Sequence, residues 1–245
     1  MRSPQTLSEA DRRIVAVWAA DCAERVMGLF DAEAPGDSRP RDAIARLRAF
    51  ARGELGVAEA RRRFVAHAAA RAVSAPAAVA AARAAGQAAS IPHMGAHALG
   101  ASAYAAKATG LAAPDRPEAV SEEIRWQLGH MSAAARTALR QLPPVGENVS
   151  GPLGPGLLAS GVLGTIIRDL QASLADPDHG RPPRPQGDQH DGNREEKRVE
   201  ARGLPSASPS LRGHEALASS SVRPAHRSDT DLANTGTCLP VRSET

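Results

Sequence analysis

The chain has 245 residues, a net charge of +3 and an aromatic content of only 2%. Every Phe, Tyr and Trp lies before position 127, so the remainder of the chain cannot easily build a second hydrophobic core. The weak and scattered positive charge argues against nucleic-acid binding, and the longest apolar run, residues 156–167, is too short to cross a bilayer.

Helical periodicity dominates the chain up to residue 142. Apolar residues recur every three or four positions, which is the spacing of a helix with one buried face. The first predicted helix runs from Glu9 to Ala32, the second follows Pro40 and ends at Gly53, and the third runs from Ala58 to Ala72. The fourth begins at Pro76, and the fifth begins at Pro92 and ends at Gly110. The sixth runs from Ser121 to Pro143, and an additional helix runs from Val162 to Leu174.

Local signals mark several of these boundaries. Ser8 is a suitable N-cap for the first helix, and Asp11 three residues later resembles a capping box. Gly53 is a candidate terminator of the second helix, because glycine readily ends helices. The arginine cluster at 61–63 in the third helix is interpreted as a solvated face, with an anion or an acidic partner as the alternative.

The alanine-rich stretch from Ala66 to Lys107 is the centre of the predicted bundle. Alanine has the highest helix propensity, and its methyl-sized side chain lets neighbouring backbones approach closely. Pro76 and Pro92 suit the first turn of a helix, where a missing N–H costs nothing. The stretch therefore predicts three consecutive, tightly packed helices.

From Asp176 onward the sequence is polar, rich in proline and without periodicity, which is typical of a segment that cannot offset its ordering entropy. The fold class is therefore all-α: a single compact bundle of six to seven helices with a disordered C-terminal tail. The expected divisions are residues 7–142 for the helical domain, 143–175 for a glycine-rich linker with a possible extra helix, and 176–245 for the tail.

The two cysteines, Cys22 and Cys238, form no CxxC pair, which favours a reducing cytosol. The N-terminal residues 1–13 lack the apolar core of a signal peptide. We expect a soluble cytoplasmic protein with neither a membrane nor a nucleic acid as partner. Phosphate-binding glycine loops, nucleophile elbows and paired-cysteine knuckles do not occur, so the sequence predicts neither a catalytic residue nor a cofactor.

His93 and His97 are the best candidates for chemistry. Their spacing of four would place both on one face of a helix, where two imidazoles can reach one metal ion. The glutamate of zinc proteases is absent between them, and His67 or His130 could join only from other helices. The alternative interpretation is that these histidines are hydrogen-bonded polar groups within a tight interface.

Acidic residues on the outer faces of the first helix, and in the loop after it, form a candidate interaction surface. Most acidic helix faces are simply solvated, and an interface for a basic partner is the sharper alternative. Trp126 is similarly either a core residue or a partner-binding hot spot. The acidic residues predicted to contact a partner are Asp21, Glu24, Asp31, Asp37 and Asp42.

Three segments resemble the Imm-5-like family of bacterial immunity proteins. They are WAADCAERV at 18–26, APGDSRPRDAI at 34–44 and HMGAHALGASAYAAKA at 93–108. The resemblance covers residues 7–142, and the chain departs from the family pattern beyond Pro143. It implies an all-α protein of polymorphic toxin systems that binds a cognate toxin and blocks it, without performing a reaction.

Three functions therefore remain as hypotheses. The first is an immunity or antitoxin-like protein that acts by stoichiometric occlusion of a toxin. The second is a metal-binding helical-bundle enzyme or sensor that uses the His93/His97 pair. The third is a scaffold whose alanine-rich face mediates self-association.

Overall fold

Every regular element in the described part of the chain is helical. The computed structural model describes residues 3–61 and 66–176, except for the side chains of residues 61, 66 and 67. They lie in one compact unit, Met1–Gly187. The α-helices are α1 Glu9–Arg25, α2 Met27–Asp31, α3 Arg39–Ala51, α4 Val57–Arg61, α5 Ala66–Ala69, α6 Pro76–Ala88, α7 His97–Ala112, α8 Ala119–Gly129, α9 Ala133–Leu139 and α10 Gly161–Ala175, and the 3-10 helices are Pro4–Thr6 and Leu157–Ala159. The predicted all-α fold is confirmed, and the predicted disordered tail after Asp176 lies outside the described residues.

The predicted first helix is divided into α1 and α2. Ser8 caps α1 as predicted, with its Oγ accepting a hydrogen bond of 3.0 Å from the Asp11 N–H. The helix is interrupted at Val26, whose φ and ψ of −103° and 2° leave the α region. Met27 and Phe30 of α2 are fully buried, so the chain still places apolar side chains in the core after the interruption.

The end of α3 confirms the prediction for Gly53. This glycine has a φ of +84°, and its N–H donates to the Phe50 carbonyl at 3.0 Å. The next N–H, from Glu54, donates to the Ala49 carbonyl at 3.0 Å. These two bonds form a Schellman motif, which satisfies the last carbonyls of the helix and needs a residue that tolerates positive φ.

The predicted third helix, Ala58 to Ala72, includes α4 and α5, and residues 62–65 between them lie outside the described part of the chain. It ends at Ala69, before the turns formed by Arg71 and Ala72. The arginine cluster at 61–63 lies outside the described side chains, so its solvated face stays a prediction.

The alanine-rich helices α6 and α7 form the centre of the bundle. Residues 98–106 of α7 are buried without interruption, which is the pattern of a helix enclosed on all sides. Helices α1, α6, α8 and α10 all pack against it. At Gly100 an added Cβ would lie 2.6 Å from the Gln87 Oε1 of α6, so the close approach expected of small residues is present. Most alanines of α6 and α7 are thus buried within the protein's own core, and the self-association hypothesis stays a prediction.

The prediction that a helix begins at Pro92 is wrong. Residues 90–96 form turns, and α7 begins only at His97. The Gly95 and Ala96 N–H groups donate at 3.0 Å to the carbonyls of Thr6 and Gln5. These long-range hydrogen bonds to the N-terminal 3-10 helix take the place of an additional helical turn.

The N-terminus of α6 is capped by a carboxylate from a distant part of the chain. Glu33, which follows α2, accepts hydrogen bonds from the Ser74 N–H at 2.6 Å, the Ser74 hydroxyl at 2.8 Å and the Ala75 N–H at 3.0 Å. The backbone hydrogen bond from Ser74 is the main reason why the pKa of Glu33 is lowered. A negative charge at this end of the helix also complements its dipole.

The predicted helix from Ser121 to Pro143 is also two helices. The chain leaves α8 at Gly129 and enters α9 after Ser132, whose Oγ accepts a hydrogen bond of 3.1 Å from the Ala135 N–H. Serine is a strong N-cap because it satisfies a donor in the first turn. The capping geometry at Ser132 therefore favours the start of a new helix at this point.

The additional helix predicted from Val162 to Leu174 is confirmed as α10. It packs against α7, and its apolar residues belong to the same hydrophobic cluster as the other helices; they are Leu163, Ile166, Ile167, Leu170 and Leu174. The domain divisions at residues 142 and 175 stay a prediction. Throughout residues 3–61 and 66–176, the helices fall short of the length and apolar character that a bilayer-spanning helix needs.

Gln5 joins the N-terminus to the segment before α10. Its side chain is fully buried, its Nε2 donates to the Ser150 carbonyl at 2.5 Å, and its Oε1 accepts from the Leu153 N–H at 2.9 Å. Both polar atoms of the amide are satisfied, as burial requires. One side chain thus fixes a distant segment through two residues that lie 145 and 148 positions away in sequence.

Candidate functional site

Four of the five acidic residues predicted to bind a partner are paired with arginines of α3. Arg48 lies between two carboxylates of α1, with N–O distances of 2.8 Å to Asp21 and 2.8 Å to Glu24. Arg41 contacts Asp31 and lies 3.6 Å from Glu24. We refer to Asp21, Glu24, Asp31, Arg41 and Arg48 as the charged lattice. Its members alternate in sign, so this surface is mixed in charge and not simply acidic.

The charged lattice is partly exposed. The exposed fractions of Glu24 and Arg41 are 45% and 49%, whereas that of Arg48 is 33%. Burial lowers the pKa of the Arg48 guanidinium, but the hydrogen bonds to Glu24 and Asp21 outweigh it and raise that pKa. Exposed ion pairs contribute only about 0.2–1 kcal/mol each, so the main consequence is orientation: long charged side chains are held in fixed positions.

The two remaining predicted acids lie in the loop before α3 and its first turn. Asp37 binds the Arg39 guanidinium through both carboxylate oxygens, and this hydrogen bonding is the main cause of its lowered pKa. Asp42 accepts a hydrogen bond of 2.8 Å from the Ser38 hydroxyl. Asp42 is therefore the one of the five predicted acids that the structure describes without an ion pair to an arginine.

A stack of three side chains lies where the C-terminal end of α1 meets α8. The Arg25 guanidinium lies 4.2 Å from the centre of the Trp126 ring, and the His130 ring stacks on Trp126 at 4.0 Å with an interplanar angle of 24°. The His130 Nδ1 is 2.8 Å from the Trp126 carbonyl oxygen, which holds the imidazole in place. Arg25, Trp126 and His130 are called the aromatic stack below. Arg25 adjoins Glu24, so the stack and the charged lattice share the C-terminal part of α1.

A buried polar layer supports the aromatic stack. Arg25 Nε donates at 2.7 Å to Glu123, whose side chain is only 2% exposed. The other Glu123 oxygen accepts at 3.0 Å from Gln127 Nε2, and Gln127 Oε1 in turn accepts from the Ser102 hydroxyl of α7. The Gln127 carbonyl accepts at 2.8 Å from the indole N–H of Trp18. The stack is thus connected to the core by satisfied hydrogen bonds.

Sequence reasoning did not find the stack or the layer beneath it. The available signal was the spacing of Glu123 and Gln127, which lie four residues apart on one face of α8. Such a pair of polar residues beside buried Leu128 indicates either an internal network or a surface that happens to be polar. Only the approach of Arg25 from α1 distinguishes the two cases.

His93 and His97 are neighbours, but they do not share a helix face as expected. His93 lies in the turn before α7, and the two ring centroids are 5.0 Å apart with the planes tilted by 53°. His97 Nδ1 lies 2.7 Å from Gln87 Oε1. In the part of the chain that the structure describes, no group of three or more His, Cys, Asp or Glu side chains could hold a metal ion. The side chain of His67 lies outside the described residues, and His130 belongs to the aromatic stack. The metal-binding hypothesis stays a prediction.

Comparison with known proteins bears on the same helices. No curated protein and no solved structure matches the chain. The family model described as Imm-5 like putative immunity protein matches residues 5–134, which is more than half of the chain and includes α1 to α8. The matched region therefore contains both the charged lattice and the aromatic stack. The chain belongs to the Imm-5-like family of putative immunity proteins.

Proposed function

We propose that this protein is a cytoplasmic immunity protein of a polymorphic toxin system, and that it binds one cognate bacterial toxin and blocks it by stoichiometric occlusion. The observation that carries the proposal is the family match over residues 5–134. The function requires a stable surface for recognition and no chemical step. A rigid helical bundle with oriented charged and aromatic side chains meets that requirement.

The charged lattice is the proposed recognition surface. Because its carboxylates are already paired, the complementary surface of the toxin is mixed in charge, with carboxylates facing Arg41 and Arg48 and cations facing Asp21, Glu24 and Asp31. Such complementarity selects the correct partner and accelerates association. Side chains held in place by intramolecular pairs lose little freedom on binding, which reduces the entropic cost of association.

The aromatic stack is the proposed anchor beside the charged lattice. Binding hot spots are enriched in tryptophan and arginine. Trp126 is partly exposed, and Arg25 and His130 are exposed around it. The buried Glu123 below keeps Arg25 in its position over the ring. The stack therefore offers a preformed planar surface, while the lattice supplies charge specificity.

The test is co-expression of the full chain with the toxin encoded beside its gene. We expect growth to be rescued and a 1:1 complex to appear in size-exclusion chromatography with light scattering. The Asp31→Arg/Arg41→Asp variant retains an ion pair but reverses the charges offered to the partner, so we expect it to fold and to lose protection. The matched control is Arg52→Glu/Glu54→Arg, an exposed pair outside the lattice.

Trp126→Ala tests the anchor separately. Truncation of a hot-spot residue costs about 2 kcal/mol or more, which corresponds to an affinity loss of about thirtyfold. The proposal fails if the folded chain does not bind the toxin, or if it protects at amounts far below that of the toxin, because turnover would then replace occlusion.

A further inference from the structure

A groove lies between α6, α7 and the segment that leads into α10. Its volume is about 360 Å³, which is within the range of small-molecule sites. The lining residues that matter here are Val79 and Arg83 of α6, Tyr104, Lys107 and Leu111 of α7, and Leu157 of the 3-10 helix. The lining residues of α6 span Pro76 to Arg83, so the groove is about two helical turns, or roughly 10 Å, long.

The walls of the groove are mainly apolar and remain partly open to solvent. Leu111 and Leu157 are 41% and 63% exposed, which is unusual for leucines next to a buried core. Leu163 of α10 closes the groove from inside and is only 4% exposed. Exposed apolar residues that surround a concavity are typical of a binding site.

The charged residues of the groove are both cations. Arg83 and Lys107 form no ion pair within residues 3–61 and 66–176, whereas Arg25, Arg41 and Arg48 each bind at least one carboxylate. Among the residues that the structure describes, no Asp or Glu lines the groove. Two positive charges beside apolar walls, without an internal counter-charge, favour an anionic ligand.

Tyr104 places a hydroxyl at the same end as Arg83. The residue is 4% exposed, and burial raises the pKa of its phenol, although the neighbouring Arg83 charge and hydrogen bond oppose that rise. A neutral phenol can donate a hydrogen bond to an anion. The hydroxyl beside Arg83 therefore adds a neutral hydrogen-bond donor to the positive charge at this end of the groove.

We propose that this groove binds a carboxylate with an apolar tail, with the carboxylate at Arg83, Lys107 and the Tyr104 hydroxyl and the tail along Val79, Leu111 and Leu157. The arginine supplies the planar donor pair that matches a carboxylate, and the lysine adds a second charge. This binding is independent of toxin recognition, which is assigned to the charged lattice and the aromatic stack.

The probe is decanoate below its micelle concentration, titrated into the full chain by isothermal calorimetry. We expect one site with a Kd on the order of 0.1 mM, as for a ligand of this size. Decanol has the same tail without the charge, and we expect its binding to be at least about tenfold weaker because a charge-assisted hydrogen bond is lost. Hexanoate has the charge with a shorter tail and is expected to bind more weakly as well.

Variants locate the site. We expect Arg83→Gln and Lys107→Gln each to weaken decanoate binding by about tenfold, and Leu157→Ser to weaken it by about threefold through lost apolar contact. The matched control is Arg125→Gln, since Arg125 is also exposed and without an ion pair in the described chain but does not line the groove. Its affinity for decanoate should equal that of the wild type.

Three results would overturn the proposal: no decanoate binding by the folded wild type, equal binding of decanol, or unchanged binding after the combined Arg83→Gln/Lys107→Gln substitution. Loss of toxin protection in that double variant, without any decanoate binding by the wild type, would assign the groove to a protein segment instead.

Discussion

The Arg25–Glu123 ion pair is expected to contribute about 1.5 kcal/mol to the free energy of unfolding. Its N–O distance is 2.7 Å, and the exposed fractions of the two side chains are 44% and 2%. Hydrogen bonds to charged groups contribute about 1.5–3 kcal/mol, whereas exposed ion pairs contribute about 0.2–1 kcal/mol. One buried and one half-exposed partner place this pair at the boundary between the two ranges.

A double-mutant cycle with Arg25→Gln and Glu123→Gln measures this contribution. Glutamine preserves the length of each side chain nearly enough to limit cavity formation while removing the charge. We expect Glu123→Gln alone to destabilise by about 2 kcal/mol, because a single amide oxygen then replaces the two carboxylate oxygens that accept from Arg25 Nε and Gln127 Nε2. The coupling energy from urea unfolding should be about 1.5 kcal/mol.

The Arg52–Glu54 pair provides the control cycle. Its side chains are 57% and 55% exposed, so we expect a coupling energy much smaller than that of Arg25–Glu123. Added salt should reduce the control value more than that of Arg25–Glu123, because buried charges are screened less. Equal coupling in the two cycles would show that burial of Glu123 does not strengthen the pair, and would refute the reasoning.

Three further predictions concern stability. Gln5→Ala should lower the free energy of unfolding, measured in urea, by about 1–3 kcal/mol, because the buried Leu153 N–H loses its acceptor. Unchanged stability would mean that water replaces the amide. Gly164→Ala should destabilise the fold by about 1–3 kcal/mol, because the new Cβ would lie 2.5 Å from the carbonyl carbon of Ala159, the last residue of the preceding 3-10 helix. The control is Gly28→Ala, which has no atom within 4 Å of the new Cβ and should be neutral or stabilising in thermal melts. The pKa of Glu33 is lowered, so its contribution to stability is present above the ordinary value of 4.5 and is lost as the pH falls through the folded-state pKa. The stability difference between the wild type and Glu33→Gln should therefore be constant well above pH 4.5 and should close as the pH falls below it; a constant difference at low pH would contradict this assignment.

Features of the fold that depend on local chemistry could be predicted from sequence. The N-cap at Ser8, the terminator Gly53 and the additional helix α10 each follow from residues within one or two turns. The wrong prediction at Pro92 depends instead on contacts between residues that are distant in sequence. Pro92 has the conformation for a helical first turn, but the N–H groups after it bond to the N-terminal 3-10 helix, which is distant in sequence.

The candidate site was predictable only in part. The sequence identifies Asp21, Glu24 and Asp31 as a cluster of acids on one helix. It does not show that Arg41 and Arg48 approach them, because these contacts span 10 to 27 residues and depend on how α3 packs against α1. The sequence of the first helix alone therefore predicts an acidic surface, whereas the surface formed by α1 and α3 together is mixed in charge.

The distribution of cations gives the molecule two different kinds of surface. Around α1 and α3, arginines are paired with carboxylates, so the local charge is nearly balanced and its pattern carries the information that a protein partner can recognise. At the groove, Arg83 and Lys107 lack such pairs in the described chain, and the unbalanced charge attracts an anion of any kind. Balanced charge suits selection among large partners, while unbalanced charge beside apolar walls suits a small ligand. Neutralising Arg83 and Lys107 together should therefore leave toxin affinity unchanged while it removes carboxylate binding, and the Asp31→Arg/Arg41→Asp exchange should have the reverse effect.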